Sequence, residues 1–82
     1  MIGPTATEIA ASVRLVIELQ LGRDKVADSE RLVEDLEADS FDVMNIVAVL
    51  EEQHDVMITE EQAADAETVR DLVELVSAAL DP

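Results

Sequence analysis

The sequence predicts an all-α fold: a small four-helix bundle of three main helices plus one short third helix, with a long loop between helices one and two. Three observations carry this. Apolar residues recur with the 3.6-residue period of a helix in separate segments of the chain. Two glycines and two prolines in 82 residues leave few places for tight hairpins, and no alternation of apolar and polar side chains is sustained. Hydrophobic residues make up 49% of the chain despite a formal charge of −15, so the low hydrophobicity of acidic disordered segments is missing.

The first helix is expected over Thr5–Gln20. Thr5 with Glu8 three residues later fits a capping box, and Pro4 sits just outside. Ile9, Val13, Val16 and Ile17 fall at i, i+4, i+7 and i+8, and Gly22 is placed to end the helix. Leu15 and Leu19 form a second pair that is expected to widen the buried face; the alternative is an exposed patch for a partner. From Arg23 to Asp39 runs a long polar connection, which Leu32, Val33 and Leu36 are expected to pin to the core. The second helix is expected over Asp39–Gln53, with Asp39 as N-cap and Asp42 near the positive end of the macrodipole. Ile46, Val47, Val49 and Leu50 can face inward there. Thr59 caps a short third helix that ends near Asp65. The last helix begins at Thr68, has Asp71 as capping partner, and carries the stripe Val69, Leu72, Val73, Val76 and Leu80.

Composition removes most functions. One domain over 1–82 is all this length allows, and so short a chain hides only about 60 to 65% of its unfolded surface. With 20 acidic residues against 5 basic, nucleic acid and anionic membrane are poor partners, since both need cations. Without cysteine there is no disulfide framework, thiolate metal site or thiol nucleophile. The longest apolar run, Ile46–Leu50, is five residues, and the N-terminus lacks the basic start and apolar block of a secretion signal. A cytoplasmic domain, acting as a monomer, is expected. His54 is the single histidine, a poor start for a metal site and expected to serve structure. No glycine follows Gly22, which rules out an EF-hand or a phosphate-cradling loop further on. The chain is not expected to be an enzyme.

Ser40 stands out. It follows the long loop and opens an apolar-rich helix, where unpaired N–H groups and the dipole favour a phosphodiester. An ordinary first-turn serine would look the same, so the surroundings must decide. Glu37-Ala38-Asp39-Ser40-Phe41-Asp42 resembles the attachment motif of the acyl carrier protein family, usually Asp-Ser-Leu. The resemblance continues through Leu50-Glu51-Glu52, Ile58-Thr59-Glu60-Glu61 and Thr68-Val69-Arg70-Asp71-Leu72. It reaches back through Val33-Glu34-Asp35-Leu36 and Gln20-Leu21-Gly22, and so covers roughly residues 7 to 80.

The resemblance implies that Ser40 carries 4′-phosphopantetheine, brought from coenzyme A by a phosphopantetheinyl transferase, and that Asp39 helps present the site. Acyl intermediates would then ride as thioesters and be shown to acyl-transferring or acyl-modifying enzymes with basic docking patches. Phe41, Met44, Asn45, Glu51 and Glu52 match partner-facing positions. Val43, Val47, Leu50, Ile58, Ala63, Ala66, Val69 and Leu72 would line or border the cleft for the acyl chain, with the small side chains of Ala63, Ala64 and Ala66 leaving it room. Several residues depart from the family pattern. Phe41 replaces Leu, Asn45 replaces a common Glu, His54 takes an aromatic position, and Thr59 replaces Pro. Glu37 stands where Gly is usual, so a left-handed backbone there would be strained. These departures bear on which enzymes are cognate and suggest a specialised lipid or polyketide pathway. The competing readings are an aminoacyl or peptidyl carrier, and an unmodified acidic helical adaptor for a basic partner protein.

Overall fold

Each helix starts on the same reciprocal device, a side-chain oxygen that satisfies an amide which the first turn would otherwise leave unpaired. The computed structural model describes residues 3–80, with helices α1 (Ala6–Leu21), α2 (Ser40–His54), α3 (Glu60–Asp65) and α4 (Val69–Leu80). Positions 1, 2, 81 and 82 lie outside the described residues, as does that much of the single domain expected over 1–82. Thr5 Oγ1 accepts from the Glu8 amide at 3.1 Å while Glu8 Oε1 accepts from the Thr5 amide at 3.0 Å. Asp39 and Asp42 repeat the exchange at α2 at 2.9 and 3.1 Å. Thr59 and Gln62 do so at α3, both at 3.0 Å. At α4, Thr68 Oγ1 accepts from the Asp71 amide at 3.2 Å, and Asp71 Oδ2 takes the amides of Thr68 at 3.0 Å and Glu67 at 2.8 Å. Those two amides hold the Asp71 carboxyl below its ordinary pKa, against the opposing effect of burial.

α1 packs against α2 and α4, and α3 lies against α2. The core draws Ile9, Val13, Val16 and Ile17 from α1, Ile46, Val47 and Leu50 from α2, and Val69, Leu72 and Val76 from α4. The connections add Val26, Leu32, Leu36, Ala38 and Ile58. No buried polar or charged residue is found among the described residues, so the interior carries no unpaired desolvation cost. The outer seam between α1 and α2 is polar: Ser12 Oγ donates to Gln53 Oε1 at 3.0 Å and lies 3.0 Å from Nε2 of the half-buried His54. That contact places the middle of α1 beside the end of α2.

Several inward assignments are corrected. Leu15 and Leu19 are 53% and 73% exposed. The arc between Ile9, Val13, Val16 and Ile17 already fills the contact with α2 and α4, and the second pair points away from it. Val49 is 36% exposed because the inward arc of α2 is narrow, spanning Ile46, Val47 and Leu50. Val33 does not pin the loop, being 64% exposed while Leu32 and Leu36 are buried.

The loop from 23 to 39 is fastened without regular structure. Leu32 donates to Glu67 O at 2.8 Å, Val69 to Glu30 O at 3.0 Å and Arg70 to Asp28 O at 2.9 Å, around an isolated antiparallel bridge between Arg31 and Thr68. Arg14 pairs with Asp28 at 2.6 Å, and Val26 donates to Glu18 Oε2 at 3.0 Å. Arg31 pairs with Glu34 and, at 3.4 Å, with Asp35. The Arg31 amide and then its guanidinium hold the Asp35 carboxyl below the usual range.

Candidate functional site

The segment before Ser40 is bent sharply and braced from both sides. Glu37 adopts φ 58°, the left-handed region, without being glycine. Arg23 steadies it, donating from Nη2 to Leu36 O at 3.2 Å and to Glu37 Oε2 at 3.1 Å. One residue on, buried Ala38 donates to Leu32 O at 2.8 Å, which ties the entry of α2 to the loop core. Asp39 then caps α2 with its own carboxylate, consuming the Asp42 amide. The amides of Ser40 and Phe41 have no partner among the described residues. They stand at the positive end of the helix beside an exposed hydroxyl.

From Ser40 a groove of about 800 Å³ runs between α2, α3 and the long loop. Ser40, Val43, Met44, Val47 and Glu51 follow one another at i, i+3, i+4, i+7 and i+11, so a single face of α2 supplies one wall. Ile58, Ala63, Ala64 and Ala66 supply the facing wall, and Asp39, Thr59, Glu60 and Glu61 make a polar rim. Of the residues expected at the cleft, Val43, Val47, Ile58, Ala63 and Ala66 reach this surface. Leu50, Val69 and Leu72 do not: all three are fully buried in the bundle centre. Leu50 belongs to the α2 face turned toward α1 and α4, and Val69, Leu72 and Val76 form the inward stripe of α4. Five lining residues lay outside the expected set: Thr59, Glu60 and Glu61 on the rim, and Val33 and Ala48 on the apolar walls. Ala48 follows Met44 at i+4 and could have been read from the period, whereas nothing local marks Val33.

Among the expected partner positions, Phe41 is 76% and Met44 54% exposed, large apolar side chains placed in water beside Ser40. Asn45 and Glu52 are exposed as well. Glu51 differs, since it is half-buried and its Oε2 accepts the Ile58 amide at 2.9 Å, fastening the α2–α3 connection. The arrangement offers no chemistry of its own. Among the described residues no group of three or more His, Asp or Glu could hold a metal ion. What it offers is a hydroxyl open to a modifying enzyme, free amides for a phosphodiester, and an apolar trough starting at the same residue. A phosphopantetheine ester fits these residues.

Comparison with known proteins agrees. The family model described as "Phosphopantetheine attachment site" matches residues 7–76. An acyl carrier protein of Borreliella burgdorferi is 41% identical over 71 residues, covering 84% of this chain and 89% of that protein. One from Helicobacter hepaticus is 41% identical over 69 residues, covering 82% of this chain and 91% of its own length. Among solved structures, an acyl carrier protein of Thermotoga maritima superposes with a TM-score of 0.79 at 24% identity, over 93% of this chain and 91% of that one, a likeness of fold. The expected bundle is thus observed, and no helix among the described residues is long and apolar enough to cross a membrane. The chain belongs to the acyl carrier protein family, whose members are carriers rather than enzymes and bear a covalently attached 4′-phosphopantetheine.

Proposed function

We propose that Ser40 is the attachment residue and that this chain carries acyl groups as thioesters on its arm. The observation that supports this most is the coincidence at Ser40 of an exposed hydroxyl, a helix N-terminus with free amides, and the end of an apolar groove. The arm supplies a thiol, which a chain without cysteine lacks. The rest falls to the protein. Asp39 fixes the first turn so that the hydroxyl faces water, and Arg23 with Glu37 holds the approach. Val43, Val47, Ile58, Ala63 and Ala66 shelter an aliphatic chain.

Tethering makes each encounter between cargo and enzyme effectively intramolecular once the carrier has docked. Docking itself is driven by Phe41 and Met44 as apolar contacts, with Asn45, Glu51 and Glu52 beside them, inside a field of −15 that steers basic patches toward the site. The same charge opposes self-association and supports a monomer. We place the protein in the cytoplasm, where it serves a phosphopantetheinyl transferase and acyl-handling enzymes. The departures at Phe41, Asn45 and Glu37 support cognate enzymes of a specialised lipid or polyketide pathway. Intact-mass analysis after incubation with coenzyme A and a competent transferase tests the assignment. One phosphopantetheine should be added, and Ser40→Ala should abolish the addition. An unchanged wild-type mass, or a modified Ser40→Ala, overturns it.

A further inference from the structure

Leu15 and Leu19 serve neither the core nor the groove. Their place follows from two contacts. Ser12 touches Gln53 and His54 at the end of α2, and Arg23, just past α1, reaches Leu36 O and Glu37 just ahead of α2. The two helices therefore run in opposite directions along their seam. Leu15 and Leu19 follow Ser12 by three and seven residues, and Val49 precedes Gln53 by four, so each lies on the face of its helix that carries the contact. The three side chains line the outer seam and are 53%, 73% and 36% exposed. The groove is built on another face of α2, through Val43, Val47 and Glu51. Charge at the seam has one sign. Glu8 stands four residues before Ser12 and Asp42 seven before Val49, again on the contact faces. The single arginine of the two helices, Arg14, is turned to Asp28 on the loop side.

We propose that the seam between α1 and α2 is a second docking surface, which takes a basic amphipathic helix of a partner protein. Such a helix lays its apolar side along Leu15, Leu19 and Val49 and sets lysines or arginines toward Glu8 and Asp42. Charge selects this occupant. A second copy of the chain would bring the same acidic ends, and a net −15, against its own. The inference goes beyond the carrier reading and does not depend on the arm. Because seam and groove lie on different faces of α2, a partner on the seam leaves Ser40, Met44 and the groove open. The chain can then be held by one protein while another serves its serine.

The test uses the full chain, isotope-labelled for NMR, and a dye-labelled helical peptide of leucine and lysine with its leucines along one face. Titration should shift the amides around Leu15, Leu19 and Val49 and leave those around Ala63 and Ala64 in place. By fluorescence anisotropy, Leu15→Gln/Leu19→Gln should weaken the peptide about thirtyfold, because the open portions of the two side chains together match about one whole leucine. Val33→Gln, an apolar loss of similar exposure on the groove side, should change the affinity by less than about twofold. A peptide with glutamate in place of lysine should not bind. The double leucine variant should melt with the wild type, since its side chains are already in water, and should accept phosphopantetheine at the wild-type rate. Shifts gathered on the groove or around Phe41 and Met44, an unchanged affinity in the double variant, or a dimer of the chain that the double variant abolishes would each overturn the proposal. Slowed modification of the double variant would place the seam in the transferase's own face and overturn it as a second surface. A Ser40 that takes no arm would remove the carrier reading alone, and the peptide titration would still decide the seam.

Discussion

Replacing Glu37 with glycine should make the protein slightly more stable, although the change deletes an ion pair. Three effects meet at this residue. A left-handed backbone costs an ordinary L-residue about 1–2 kcal/mol, which glycine avoids. Glycine brings back about 0.5–1 kcal/mol as extra freedom in the unfolded chain. The Arg23–Glu37 pair, at 3.1 Å, leaves the Glu37 side chain 82% exposed, and such surface pairs contribute about 0–1 kcal/mol, here toward the lower end. The difference is a gain of about 0.5 kcal/mol, which in a domain of this size is about 2–4 °C in melting temperature. Melts by circular dichroism at fixed ionic strength, on wild type, Glu37→Gly, Arg23→Gln and the double variant, measure it. Arg23→Gln should be the more harmful single change, since Arg23 also serves the Leu36 carbonyl at 3.2 Å, a bond worth about 1 kcal/mol. The double-mutant coupling should stay below about 0.5 kcal/mol. A clear fall in the melting temperature of Glu37→Gly, with a coupling above about 1 kcal/mol, would show that the ion pair and not backbone strain governs this turn, and the reasoning would be wrong.

Two other outcomes are expected. Added sodium chloride should raise the melting temperature while weakening transferase engagement, because screening relieves self-repulsion at −15 and also dims the field that steers basic partners; a Michaelis constant indifferent to salt would contradict the steering role. Asp71 should govern part of the acid limb of stability. Its folded-state pKa is depressed by the Glu67 and Thr68 amides, so its contribution is fully present above its unfolded pKa of about 4 and is lost as pH falls through the lower folded value. Acid titration of Asp71→Asn should therefore show a flatter fall below about pH 4 than wild type, and superimposable acid limbs would exclude the assignment.

What could be read from the chain without coordinates is local physics. The caps at Thr5, Asp39, Thr59 and Thr68, and the stop at Gly22, involve partners within four residues, so spacing alone reveals them. Helix existence followed from period, and the boundaries came within a residue because the capping residues mark them. The position of Ser40 at the mouth of α2 was visible for the same reason. Only the tertiary structure decided which of several apolar residues meet a neighbour. Leu15, Leu19, Val33 and Val49 have the same hydrophobicity as residues that are buried, and their exposure depends on where α2, α4 and the loop lie. Leu50, Val69 and Leu72 sank below the groove wall for that reason too. The contacts that fix the loop, Leu32 to Glu67, Arg70 to Asp28 and Arg23 to Glu37, join residues 14 to 42 positions apart, and no period or motif encodes such pairs. Local patterns specify what each segment can bury; long-range packing selects what it does bury, and the groove beside Ser40 is the surface left open by that selection.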